Sequence, residues 1–129
     1  MDMKRSVRVA WLLPVLLGWT GTAAAQRSTE QYIPIGQSPG ISGVRSYIGA
    51  ITAVDLQRRT FTVQDSTGTR TIKVAGGTRI WRDRSAERLS NEAGDLSDLR
   101  VGRRVEVKYL DDQTRDTADW IKVAVAAGG

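Results

Sequence analysis

The sequence predicts an all-β domain, a small five-stranded barrel with a short helical connection between its third and fourth strands. Three observations carry this. From Ser46 onward, apolar and polar residues alternate with a period of two in five separate stretches. Between stretches stand turn formers such as Asp65, Ser66 and Gly68. The alternation stops over residues 84–99 and then resumes, so the order is three strands, an irregular connection and two strands. That is the strand order of an OB-type barrel, with its connecting element after the third strand. An open sandwich or an SH3-like barrel is the competing architecture, because strand order alone does not separate them.

Each element follows from its residues. The first stretch, SYIGAITAVD, alternates loosely, with Gly49, Ile51 and Ala53 on one face, and Gly49 marks a bend or a close backbone approach. LQRR turns the chain. TFTVQD places Phe61 and Val63 on one face, and TRTIKVA returns with Ile72 and Val74 beside them, so four apolar side chains share a buried hairpin face. Ala75–Gly77 breaks or bulges the strand. TRIWRD continues it, with Ile80 inward and Trp81 on the other face. Ser85 is placed to cap a short helix whose length Gly94 limits, and Asp95 or Ser97 starts a second turn that offers Leu96 and Leu99 to the barrel end. The fourth strand alternates Val105, Val107 and Tyr109 against Glu106 and Lys108, which puts Glu106 toward solvent. After the polar turn DDQTRD, the last strand buries Ile121, Val123 and Val125.

Ahead of this domain the composition changes twice. Residues 1–25 read as a secretory signal peptide: Lys4, Arg5 and Arg8, then the apolar run Val9–Trp19, then small residues with Ala23 and Ala25 at the exit. The run is too short for a spanning helix, which needs roughly 20 apolar residues, and Pro14 interrupts it, so no stable membrane anchor is expected after cleavage. Residues 26–45 are rich in Gln, Ser, Gly and Pro and read as a flexible linker, with an edge strand around YIPI as the alternative. The barrel domain is assigned to residues 46–127. The protein is expected in the periplasm or outside the cell. It has no cysteine, so no disulfide supports it there, and a packed core must.

Taken together, GAITAVD, TFTV, GTRTIKV, GTRIW, DLRVGRRVEVKY and ADWIKV resemble a group of exported bacterial OB-like domains of unknown function. The shared pattern is Gly-x-Ile/Val, Thr-x-Ile, Leu-x-Val-Gly, Val-x-Val and Ala-x-x-Ile, over roughly residues 47–125. The resemblance implies an exported β-barrel and brings no catalytic residue with it.

The composition excludes several chemistries. Without histidine or cysteine there is no Ser–His–Asp triad, no thiolate nucleophile, and no imidazole or thiolate metal site. The carboxylates Glu106, Asp111, Asp112, Asp116 and Asp119 show no spacing that sets two of them across a cleft. The acidic turn at 111–116 does not match a calcium loop and reads as a solvated hairpin turn. No enzyme, metal or cofactor is therefore expected. The candidate binding residues are Trp81 with Arg79, Arg82, Arg84 and Arg88 around it, since an aromatic face flanked by guanidinium groups is common binding chemistry. The bland alternative is that Trp81 covers a barrel end and the arginines pair with Asp83 and Glu87. The expected role is a non-catalytic binding module of the bacterial envelope, for an anionic glycan or a protein partner. A passive assembly role and single-stranded nucleic-acid binding are the alternatives. Nucleic acid is disfavoured by charge. The whole chain carries +5, and residues 1–25 hold three basic residues and Asp2, so their loss leaves +3.

Overall fold

A computed structural model of the chain describes residues 29–125. The signal peptide assigned to residues 1–25 lies outside the described residues, as do residues 126–127 at the end of the assigned domain. Every strand among the described residues falls within the unit that begins at Gln31.

The fold is all-β, as the periodicity predicts. Six strands are present among the described residues: β1 Ser46–Asp55, β2 Thr60–Asp65, β3 Gly68–Asp83, β4 Glu92–Ala93, β5 Arg104–Tyr109 and β6 Thr117–Ala124. They form one sheet in the order β2-β1-β5-β6-β3-β4, with β2 also paired to β3. All pairs are antiparallel except β3 with β6. Two features depart from an even five-stranded cylinder. The two-residue β4 is a sixth strand, and the β3–β6 ladder is interrupted between Val74 and Arg79.

Two strands bend and divide their length between two neighbours. β1 pairs with β5 through Ser46–Ala50 and with β2 from Ala50 to Asp55. Gly49 sits at the crossover. A Cβ there would stand 2.4 Å from the Gln64 carbonyl oxygen, so only glycine lets the two backbones approach this closely. Just beyond it, a bulge between Ile51 and Ala53 shifts the register. Ile51 is buried, but Ala53, expected beside it, is exposed, and Val54 packs against the core in its place. β3 pairs with β2 from Gly68 to Lys73, and its second half pairs with β6.

The core lies on the face that alternation predicts. Val63, Ile72, Val105, Val107, Ile121 and Val123 have no exposed surface, and Phe61, Ile51 and Tyr109 are buried with them. Burial of this kind stabilises by about 1.5–3 kcal/mol per large apolar side chain, and it is what a chain without disulfides relies on.

The connection after β3 contains no longer helix. Ser85–Glu87 is a single 3₁₀ turn that ends at Arg88 in the left-handed region, and Arg84 rather than Ser85 is its N-terminal flank, without a side-chain cap. The second turn, Leu96–Asp98, begins at Asp95 in a reciprocal capping box with Asp98. It brings Leu96 and Leu99 onto the core, as their spacing predicts.

The stretch after Glu30 corrects the linker expectation. Residues 31–45 form a series of turns held against the outer face of β3, β5 and β6. Ile35 is 5% exposed, and its N–H donates to Asp83 Oδ2 at 2.8 Å. Gly36 N–H donates to Glu106 Oε1 at 2.9 Å, and the Ser42 hydroxyl donates to Glu106 Oε2 at 2.7 Å. This is a strap. Glycine and serine serve it by fitting a tight turn and supplying donors, so composition alone resembles that of a tether.

Candidate functional site

The cluster singled out by sequence is divided between separate tasks. Trp81 does point away from the core, but it is only 6% exposed. Its ring lies 5.7 Å from that of Trp120, tilted by 37°, and its β6 register partner is Lys122. Arg82 donates to both oxygens of Asp98 at 2.9 Å and to Glu92 at 3.0 Å. These carboxylates hold its guanidinium firmly protonated, Asp98 contributing most. Arg84 donates to the Ser90 carbonyl and lies 3.6 Å from Glu92. Arg79 and Arg88 are exposed. Arg82 and Arg84 thus pair with acids, though with Asp98 and Glu92 rather than with Asp83 and Glu87.

Glu106 corrects a second expectation. It is fully buried, as is Lys122, its register partner across β5 and β6. Glu106 accepts from Gly36, Ser42 and Ser46, while Lys122 Nζ donates to the Ser38 hydroxyl at 3.1 Å and lies 4.5 Å from the Trp120 ring centre. Asp83 completes this layer. Burial pushes its carboxyl up, but N–H donors from Ile35 and Ser85 and the nearby Lys122 charge outweigh that and hold it below the ordinary value. The alternation Val105-Glu106-Val107 reads as a half-exposed strand only while nothing covers its polar side.

A site that sequence reasoning did not assemble lies along β3. Val74 N–H donates to the Arg59 carbonyl at 2.8 Å, where β2 begins, and the Ile80 carbonyl accepts from Gly94 N–H at 2.8 Å, beside β4. Between these points Ala75–Thr78 has no register partner in β2, β4 or β6. A cleft of about 500 Å³ opens here, between Arg59 on one side and Gly94–Ser97 on the other. Val74, Ile80 and Leu96 supply apolar lining, and Thr78, Asp95 and Ser97 supply polar groups. Arg59, in the left-handed region at φ 56°, turns its Nε back onto the Val74 carbonyl at 3.3 Å and so fixes one wall. Asp95 is held below the usual carboxylate range, first by the Ser97 hydroxyl. The signal in the sequence is the Ala75–Gly77 break, which suits a bulge as well as an open edge. The partner wall comes from sequence-distant residues 94–97 and leaves no local mark.

No family model matches the chain, and no curated protein matches it. Among solved structures the chain is similar to the crystal structure of Ag(I)CusF, with 14% sequence identity and a TM-score of 0.40, over 60% of this chain and 93% of that one. A likeness this distant says nothing of a ligand for the present chain. Among the described residues no three acidic side chains gather to hold a metal ion, and no helix is long and apolar enough to cross a membrane.

Proposed function

We propose that this protein is a non-catalytic exported binding module of the bacterial envelope, and that it takes an extended segment of a protein partner into the β3 cleft. The single observation behind this reading is the Ala75–Thr78 stretch of β3, which has no ladder partner beside an open cleft; Ala75 N–H turns in onto the Thr78 hydroxyl, so Gly76 and Gly77 are the backbone it presents. Unpaired strand edges are templates for another chain, with main-chain hydrogen bonds supplying affinity and adjacent pockets supplying selectivity. Val74, Ile80 and Leu96 offer apolar contact, and Arg59 and Asp95 offer charges of both signs for register.

The circuit of pairings from β1 through β2, β3, β6 and β5 back to β1 supports an OB-like barrel, in keeping with the family resemblance. Export rests on the character of residues 1–25. An anionic glycan at the Arg–Trp cluster is the weaker reading, because Trp81 is covered and Arg82 and Arg84 already face acids. Single-stranded nucleic acid calls for exposed aromatic platforms, and neither Trp81 nor Trp120 is exposed.

Selection of random dodecapeptides on the purified protein tests this reading. Enriched peptides should bind the wild type, and Gly76→Tyr should weaken them by at least about tenfold, a loss worth about 1.4 kcal/mol. Gly76 lines the cleft and a Cβ there meets nothing within 4 Å, so a bulky side chain can be introduced at the cleft without a clash at its root. Failure to enrich any sequence, or equal binding to Gly76→Tyr, would remove the cleft as the site.

A further inference from the structure

A second cluster lies at the other end of β2 from Arg59, near the β2–β3 turn. Tyr47 on β1 and Tyr109 on β5 share the core face of adjacent strands, since Tyr47 is the register partner of Val107. Tyr47 is satisfied: its hydroxyl donates to the Gly68 carbonyl at 2.8 Å. Tyr109 is not. It is 1% exposed, and its hydroxyl has no hydrogen-bond partner among the described residues. An orphaned hydroxyl in a buried position is costly and uncommon.

Two guanidinium groups cap this pair. Arg70 lies 5.1 Å from the centre of the Tyr47 ring, and Arg115 lies 5.7 Å from that of Tyr109. Both arginines are exposed. Arg115 uses its Nε on the Asp112 carbonyl, which leaves the rest of its fork for other partners. Burial pushes the Tyr109 hydroxyl above its ordinary value, and the charges of Arg70 and Arg115 act against that. Asp65 is occupied locally, where its Oδ1 accepts from Thr67 N–H, the Thr67 hydroxyl and Gly68 N–H.

We propose that Tyr109, Arg70 and Arg115 form a binding site for a small oxyanion, separate from the β3 cleft. Both guanidinium groups are donors only, the hydroxyl can donate as well, and no described acceptor meets it. An oxyanion supplies the missing acceptor to Tyr109 and charge to both guanidinium forks, which suit carboxylate and phosphate geometry. The long arginine side chains move from the ring faces onto the anion, their stems staying against the apolar surface. The shared ligand chemistry is a compact, multiply accepting anion, carried free as phosphate or on a chain as an acidic sugar.

The test is titration of the purified protein with inorganic phosphate and, in a second arm, with D-galacturonate, followed by NMR of the Tyr109 ring. Saturable shifts at Tyr109 are expected in at least one arm. Tyr109→Phe should weaken that binding by about tenfold, the effect of one charge-assisted hydrogen bond, while its melting temperature stays equal or rises because an orphaned group is gone. Arg70→Gln, a change at an exposed position, should weaken binding to a similar extent. No saturable shift in either arm, or unchanged affinity in both variants, would overturn the site. Stronger binding of phosphate than galacturonate marks a free anion as the ligand, and the reverse marks an acidic glycan.

Discussion

Glu106 on β5 stands directly opposite Lys122 on β6, and neither side chain has exposed surface. Each is held by the strap, Glu106 through Gly36 and Ser42 and Lys122 through Ser38. Ser46 at the start of β1 adds a third donor to Glu106, at 2.7 Å. The strap is therefore fastened to the sheet by buried charge and not only by the Ile35 side chain. Glu106→Ala leaves three donors without an acceptor and should cost about 3–5 kcal/mol in denaturant unfolding. Glu106→Gln retains one acceptor oxygen and should cost less, about 1–2 kcal/mol. A loss under about 1 kcal/mol for the alanine variant, the range of an exposed ion pair, would mean that the strap is not fastened there.

Asp83 gives the fold an acid limb. Its carboxyl is held below the ordinary value of 3.8, as hydrogen bonds and the Lys122 charge outweigh burial. A depressed folded pKa means that the stabilisation is complete above the unfolded pKa, about 3.9, and is lost as pH falls through the lower folded value. Unfolding midpoints measured between pH 7 and pH 2 should fall at the acid end. Asp83→Asn should be less stable at pH 7 and show a shallower acid decline. Parallel curves for the two proteins would contradict this.

Two glycines separate a close approach from an open edge. Gly49→Ala brings a Cβ to 2.4 Å from the Gln64 oxygen and 2.9 Å from Val63 Cγ1, both at the β1 crossover. It should destabilise by about 3 kcal/mol, at the upper end for overpacking, because backbone must move. Gly76→Ala meets open space and should fall within about 0.5 kcal/mol of wild type. Thermal melts of the two variants decide it, and similar melting temperatures would show that the crossover tolerates a side chain.

Much of the sheet is legible in the sequence because two-residue periodicity records which face is dry. Phe61 with Val63, Ile72 with Val74, Val105 with Val107, and Ile121 with Val123 all face the core, as their alternation predicts. Ala53 departs from that pattern because a bulge adds one residue to β1, and nothing in the local composition marks it. Glu106 and residues 31–45 depart together: a polar strand face looks solvated until a segment tens of residues away supplies its hydrogen-bond partners. The same limit hides the cleft. Ala75–Gly77 is recognisable as a break, but its openness depends on β2 starting only at Thr60, β4 joining at Arg82 and Trp81, and Asp95 capping the turn opposite. Trp81 stands out in the sequence as an aromatic among arginines, and only tertiary structure sets it against Trp120 under a cover.

Amide hydrogen exchange along β3 tests the central claim most directly. In the free protein Gly76 and Gly77 should exchange much faster than Val74, whose N–H is bonded to Arg59, and than Ile72, which lies within the β2 ladder. Saturation with a selected peptide should slow exchange at Gly76–Thr78 and leave Ile72 unchanged. If Gly76 and Gly77 are as protected as Ile72 without peptide, or if peptide saturation leaves them fast, the open edge is not where this protein binds.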